Sequence, residues 1–143
     1  MKTDHIIALI GSIREKAYRF ITHELVVREI AGLAPSHGAI LSVLFRCNTL
    51  PMTELAKRID RDKSTVTALV KKLADHGYVV RKKDPDDGRV TYISLTEKGI
   101  ALQSEFEEIS EALLGIVYKD FSTQEKKAVI CYLERMLENW SDH

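Results

Sequence analysis

The chain has 143 residues, 45% hydrophobic and 29% charged, a mix that supports a folded core and excludes a disordered segment. No apolar run approaches a membrane span, the first periodic segment carries Arg14, Glu15 and Lys16 rather than a signal-like apolar stretch, and the two cysteines, Cys47 and Cys131, form no disulfide framework; a cytoplasmic protein with no membrane partner is expected. Net charge is zero, yet residues 53–92 hold ten Lys or Arg and seven Asp or Glu, against eleven and fourteen in the remainder, so a basic centre lies between acidic flanks.

Ile6, Ile10, Ile13, Ala17, Phe20 and Ile21 recur at helical spacing and predict a first helix over 4–30, ended by Gly32. Pro35 is placed near the start of a second helix whose buried stripe is Ile40, Val43, Leu44 and Cys47; Asn48 and Pro51 end it. A short third helix is predicted over 53–59, capped by Thr53, with Leu55, Ala56 and Ile59 inward. The tetrapeptide Asp60-Arg61-Asp62-Lys63 is a turn, and Asp62 is placed to cap a fourth helix that runs to His76 and stops at Gly77. Val66, Leu69, Val70 and Leu73 are its apolar stripe.

The period then changes to two. Residues 78–83 and 90–95 read as strands, joined by the turn Asp84-Pro85-Asp86-Asp87-Gly88. Thr96 caps a fifth helix bearing Leu102, Phe106, Ile109, Leu113 and Val117. Ser122 and Glu125 form the capping box of a sixth, with Val129, Leu133, Met136, Leu137 and Trp140 as its stripe. The expected fold is mainly α with a small β-hairpin: a winged helix-turn-helix lobe over 33–95, flanked by helices over 4–30 and 96–140, as one domain over 1–143.

The fourth helix presents Lys63, Ser64, Thr65, Thr67, Ala68, Lys71 and Lys72 on its outer side. Small hydroxyls and free N–H groups in its first turn suit phosphates and base edges, and Ala68 permits close approach to a thymine methyl. A solvated face with no partner is usually denser in Glu–Lys pairs. On the hairpin, Arg81, Lys82, Lys83 and Arg89 surround the tip, and Arg89 follows Asp87 by two residues, so the carboxylate can hold the guanidinium for a narrow minor groove. Double-stranded DNA is the expected partner, with Ser36, His37, Thr53, Arg61 and Lys82 adding contacts. The alternative is a winged helix used for protein contacts. No nucleophile–base pair, glycine-rich phosphate loop or metal-ligand cluster appears, so neither an enzyme, a cofactor nor a metal is expected; His5, His23, His37, His76 and His143 include none at ligand spacing with a cysteine.

The runs Leu55-Ala56-Lys57-Arg58-Ile59, Asp62-Lys63-Ser64-Thr65-Val66-Thr67, Asp84-Pro85-Asp86-Asp87-Gly88-Arg89 and Leu95-Thr96-Glu97-Lys98-Gly99 resemble the MarR (multiple antibiotic resistance regulator) family. The resemblance extends over essentially the whole chain. It implies a homodimer on pseudo-palindromic DNA, with the fourth helix in the major groove and the hairpin in the adjacent minor groove, acting as a repressor that a small molecule releases. The family's wing Asp and Arg match Asp87 and Arg89. Three departures stand out: Gly88 occupies a position that is commonly Arg, Ala34 one that is often a capping Ser or Thr, and the first helix lacks the cysteine of peroxide-sensing relatives. The end helices hold more apolar surface than one small lobe can bury, which makes Ile6, Ile10, Ile13, Leu133, Leu137 and Trp140 the expected dimer contacts. The resemblance also suggests an effector site near Tyr18, Phe20, His23, His37 and Arg46.

Overall fold

A computed structural model describes residues 1–30 and 32–142; His143 lies outside them. The chain forms two compact units, the first Met1–Ser110 and the second beginning at Glu111.

In the first unit α1 (Ile6–Val27) leads to α2 (Pro35–Cys47), β1 (Thr49–Pro51), α3 (Met52–Arg58), α4 (Lys63–Asp75), β2 (Val79–Lys83), β3 (Thr91–Leu95), α5 (Glu97–Ile100) and the first half of α6 (Gln103–Val117). The strands form one antiparallel sheet in the order β1-β3-β2. Register places Leu50 opposite Ile93 on one side, and Arg81 opposite Ile93 on the other. The apolar stripes of α2, α3 and α4 close over this sheet. Ile40, Leu41, Leu44, Leu55, Val66, Val70, Leu73 and Ile93 are fully buried together, the main source of the unit's stability.

Local chemistry explains the boundaries. The α4 N-terminus is closed by Asp62, whose carboxylate accepts the Thr65 N–H at 2.7 Å. At its C-terminus Gly77 (φ 80°) adopts the left-handed conformation, while Tyr78 N–H reaches the Leu73 carbonyl and Gly77 N–H reaches that of Ala74. The same motif ends α1 at Glu29 (φ 58°) and α3 at Asp60 (φ 53°). The first helix therefore stops before Gly32, and the turn between α3 and α4 is built on an aspartate.

Three other expectations are corrected. Thr53 does not cap α3: the helix begins at Met52 behind Pro51, which places Thr53 in its first turn. Residues 49–51 are a strand, because they pair with β3. The expected fifth helix is two, α5 and α6, separated by a turn at Ala101 and Leu102. Thr96 does cap α5, accepting the Gly99 N–H at 3.1 Å and donating to the Gly77 carbonyl at 2.6 Å. A Cβ on Gly99 would overlap the Tyr78 carbonyl oxygen, so the glycine lets α5 sit directly on the start of β2. Arg28, at the end of α1, joins Glu24 to Glu105 and Glu108 of α6 (2.7 and 2.6 Å).

The second unit holds the rest of α6, then α7 (Thr123–Glu138) and a 3₁₀ turn, Asn139–Asp142. The capping box is formed reciprocally: Ser122 Oγ accepts the Glu125 N–H at 3.1 Å, and the Glu125 carboxylate accepts the Ser122 N–H at 2.8 Å. These bonds hold the Glu125 carboxyl below its usual range. No described helix is long and apolar enough to cross a membrane.

Candidate nucleic-acid interface

The α4 face is set by its packing. Burial of Val66, Val70 and Leu73 turns Lys63, Ser64, Thr65, Thr67, Ala68, Lys71 and Lys72 outward, and all seven are exposed. Asp62 organises the leading turn. Hydrogen bonds from the Thr65 side chain and N–H, and from Ser64, hold its carboxyl below the usual range, so the cap stays ionised near neutral pH. The Thr67 hydroxyl donates to the Lys63 carbonyl at 2.8 Å, leaving its methyl and lone pairs to face outward. Lys71 lies 3.6 Å from Asp75, an exposed pair that solvent screens.

The wing is preformed. The Asp84 carboxylate accepts the N–H groups of Asp86 (2.8 Å) and Asp87 (3.2 Å), and Val90 N–H returns to the Asp87 carbonyl at 3.0 Å. Arg89 then closes on Asp87 through both carboxylate oxygens: Nε to Oδ1 at 3.1 Å and Nη2 to Oδ2 at 3.2 Å. The guanidinium holds the Asp87 carboxyl below its ordinary value. The Arg89 side chain remains 91% exposed, so the carboxylate orients it without removing it from solvent.

Between the α3–α4 pair and the hairpin lies an open cleft of about 250 Å³. Thr53, Lys63, Thr67, Arg81, Arg89 and Thr91 face it. Thr91 was not among the residues expected from the sequence, and Arg81 was expected only as one of the cations around the wing tip, not as a DNA contact. Lys82 was expected as a contact, and pleat parity moves it: buried Val79 and Ile93 fix the inner face of the hairpin, Arg81 continues that face, and Lys82 points to the opposite one. Arg61 is exposed in the turn before α4 and Ser36 is half-buried at the start of α2.

His37 is the clear correction. It is 4% exposed, and its Nδ1 accepts the Ala34 N–H at 2.9 Å, the bond that the third helical residue makes back to the N-cap in a capping box. An imidazole enclosed in this way is not displayed to a DNA backbone. Nor do the other expected effector residues form one wall. Tyr18 and Phe20 lie about 200° apart around α1. Tyr18 is covered by Arg14, whose guanidinium sits 4.9 Å from the ring centroid, while His23 and Arg46 are exposed. Among the described residues no group of three or more His, Cys, Asp or Glu is arranged to hold a metal.

Residues 33–91, from the approach to α2 through the wing, match the family model described as MarR family. That segment of the chain is similar to the MarR family. It is 36% identical over 89 residues to the HTH-type transcriptional regulator SarZ of Staphylococcus aureus (strain USA300), an alignment covering 62% of this chain and 57% of the relative. Across the first curated relatives the chain spans from about half to about two thirds of their length. A MarR transcriptional regulator from Methanosarcina mazei Go1 superposes with a TM-score of 0.82 at 26% identity, covering 96% of each chain. A mutant MarR from E. coli complexed with operator DNA shares the fold at a TM-score of 0.80 and 20% identity, over 96% of this chain and 99% of that one. The MarR-family segment thus coincides with the elements that build the cationic cleft and the α4 face.

The expected dimer residues of the end helices are placed on exposed apolar stripes. Ile6, Ile10 and Ile13 are 38%, 38% and 56% exposed on α1, and Leu133, Leu137 and Trp140 are 40%, 61% and 68% exposed in the second unit.

Proposed function

We propose that this protein is a homodimeric, sequence-specific DNA-binding transcriptional regulator of the MarR family that represses by occupying its operator. The observation carrying this reading is the single cationic surface made by the α4 face and the wing, with Lys63, Arg81 and Arg89 around one cleft. A helix of α4's diameter fits the major groove, and an Arg held forward on a hairpin tip suits a narrow minor groove. The exposed apolar stripes of α1 and α7 support a dimer, because a monomer would leave them in water. Two copies would then read a pseudo-palindrome with half-sites about one helical turn apart. Both cysteines are free, which fits the reducing cytoplasm where such a regulator works. Release by a small-molecule effector belongs to this reading through the family resemblance.

Anisotropy titration of duplexes from a promoter library, repeated at several salt concentrations, tests it. Tight binding to a subset of sites, weakening steeply with salt, is expected. Uniform, salt-insensitive and weak binding to every duplex would overturn it in favour of a winged helix that contacts proteins.

A further inference from the structure

Three cations face the cleft between α4 and the hairpin, and one carboxylate answers them. Asp87 pairs with Arg89. Among the described residues neither Lys63 nor Arg81 has an ion-pair partner. Arg81 reaches the cleft because Val79, two residues earlier on the same face, is buried against the core. The cations therefore come from two separately folded elements, Lys63 from the first turn of α4 and Arg81 and Arg89 from the wing. Thr53, Thr67 and Thr91 add oxygens to the walls. Like charges converging on one concavity are unfavourable until an anion enters, and a tetrahedral anion with several acceptor oxygens satisfies more than one of them at once.

We infer that this cleft is the seat of one phosphodiester of the DNA backbone, gripped from the helix side by Lys63 and from the wing side by Arg81. The inference rests on the DNA-binding reading and deepens it. A shared phosphate fixes the angle between α4 and the wing, so that Arg89 enters the minor groove in register with the α4 contacts. Arg81 is a positioning residue that reads no base itself.

The test compares Arg81→Ala with Lys82→Ala, which removes the same charge from the opposite face of the same strand. Circular dichroism first establishes that both fold like the parent. Arg81→Ala should weaken cognate and non-cognate duplexes alike, by roughly five- to tenfold at moderate salt, and reduce the salt slope by about one. Lys82→Ala should change affinity less than twofold. On duplexes carrying a single neutral methylphosphonate, scanned along each strand, one position should weaken the parent and leave Arg81→Ala unaffected. Parent-like DNA binding by Arg81→Ala, or equal losses for the two variants, would overturn the inference while leaving the proposed function standing. A parent that binds no duplex overturns both. A thermal-shift arm in inorganic phosphate against chloride at equal ionic strength separates the other source of the anion. Stabilisation of the parent alone, with DNA affinity indifferent to Arg81→Ala, would make the cleft a free-anion site and overturn the DNA assignment.

Discussion

The imidazole Nδ1 of His37 accepts the backbone N–H of Ala34 at 2.9 Å, closing the α2 N-terminus from a buried position. The bond requires a neutral ring, since a protonated imidazole has no lone pair to offer. Burial lowers the His37 pKa from its ordinary 6.5, and the nearby charges of Lys72 and His76 lower it further. The unfolded chain therefore binds this proton more readily than the native state. Stability is fully present above about pH 6.5 and falls as pH drops below it, levelling off once the folded-state pKa is passed. Urea melts at pH 7.5, 6.0 and 5.0 should show that decline. His37→Gln keeps an acceptor at the same helical position and should flatten the decline over this range. His37→Ala should cost about 1–2 kcal/mol at pH 7.5 through the lost cap. Equal pH slopes for the parent and His37→Gln would count against the assignment.

Gly99 tests the contact beneath the Leu-Thr-Glu-Lys-Gly run. An added methyl would overlap the Tyr78 backbone oxygen, and a carbonyl in a turn cannot move aside as a flexible side chain would. Gly99→Ala should destabilise by about 1–3 kcal/mol, read as a drop in melting temperature of several degrees. Thr96→Ala, which loses both the cap to Gly99 and the bond to Gly77, should cost about 1 kcal/mol. An unchanged melt for Gly99→Ala would show that α5 does not rest on β2 in solution.

The Asp87–Arg89 pair bears on recognition rather than folding. Arg89→Ala should weaken specific binding on the order of tenfold or more, most on operators with A·T-rich flanks, with melting temperature unchanged. Asp87→Ala should lose less, because the cation survives without its orienting partner. The double variant should lose less than the two single losses combined, since both act through one guanidinium. Parent-like affinity for Arg89→Ala at matched salt would leave α4 to carry recognition alone.

The apolar stripes predict an assembly. Ile13 and Leu137 are 56% and 61% exposed, a poor arrangement for a large side chain in water. Leu137→Glu and Ile13→Glu should convert a dimer to monomer in light scattering and weaken operator binding by far more than either changes the helix content. A monomeric parent at micromolar concentration would refute the dimer.

Most helices were legible because their signals are local. Asp62 lies within three residues of the N–H it caps, and Ser122 and Glu125 cap one another, so spacing alone reveals them. The Pro- and Asp-rich wing turn is likewise closed by its own side chains. Other features had no local signature. Glu29 and Asp60 take the left-handed positions where a glycine would have announced a helix end. Residues 49–51 are too few to show a period, and they become a strand only by pairing with residues 92–94.

The sequence by itself determined that the central third is basic, that a helix with a small polar face precedes a hairpin bearing Asp87 and Arg89, and that the end helices hold surplus apolar surface. The tertiary structure alone decided which strand cation faces the cleft and which histidine is enclosed. Val79 and Val80 are adjacent and both apolar, so alternation fits either parity; packing of Val79 against the core, with Val80 left 49% exposed, turns Arg81 into the cleft and Lys82 away from it. His37 looks like a surface residue beside Ser36. It is enclosed with the buried side of α2, beside Ile40, Leu41 and Leu44 of the same helix, and from there its Nδ1 accepts the Ala34 N–H at the helix start.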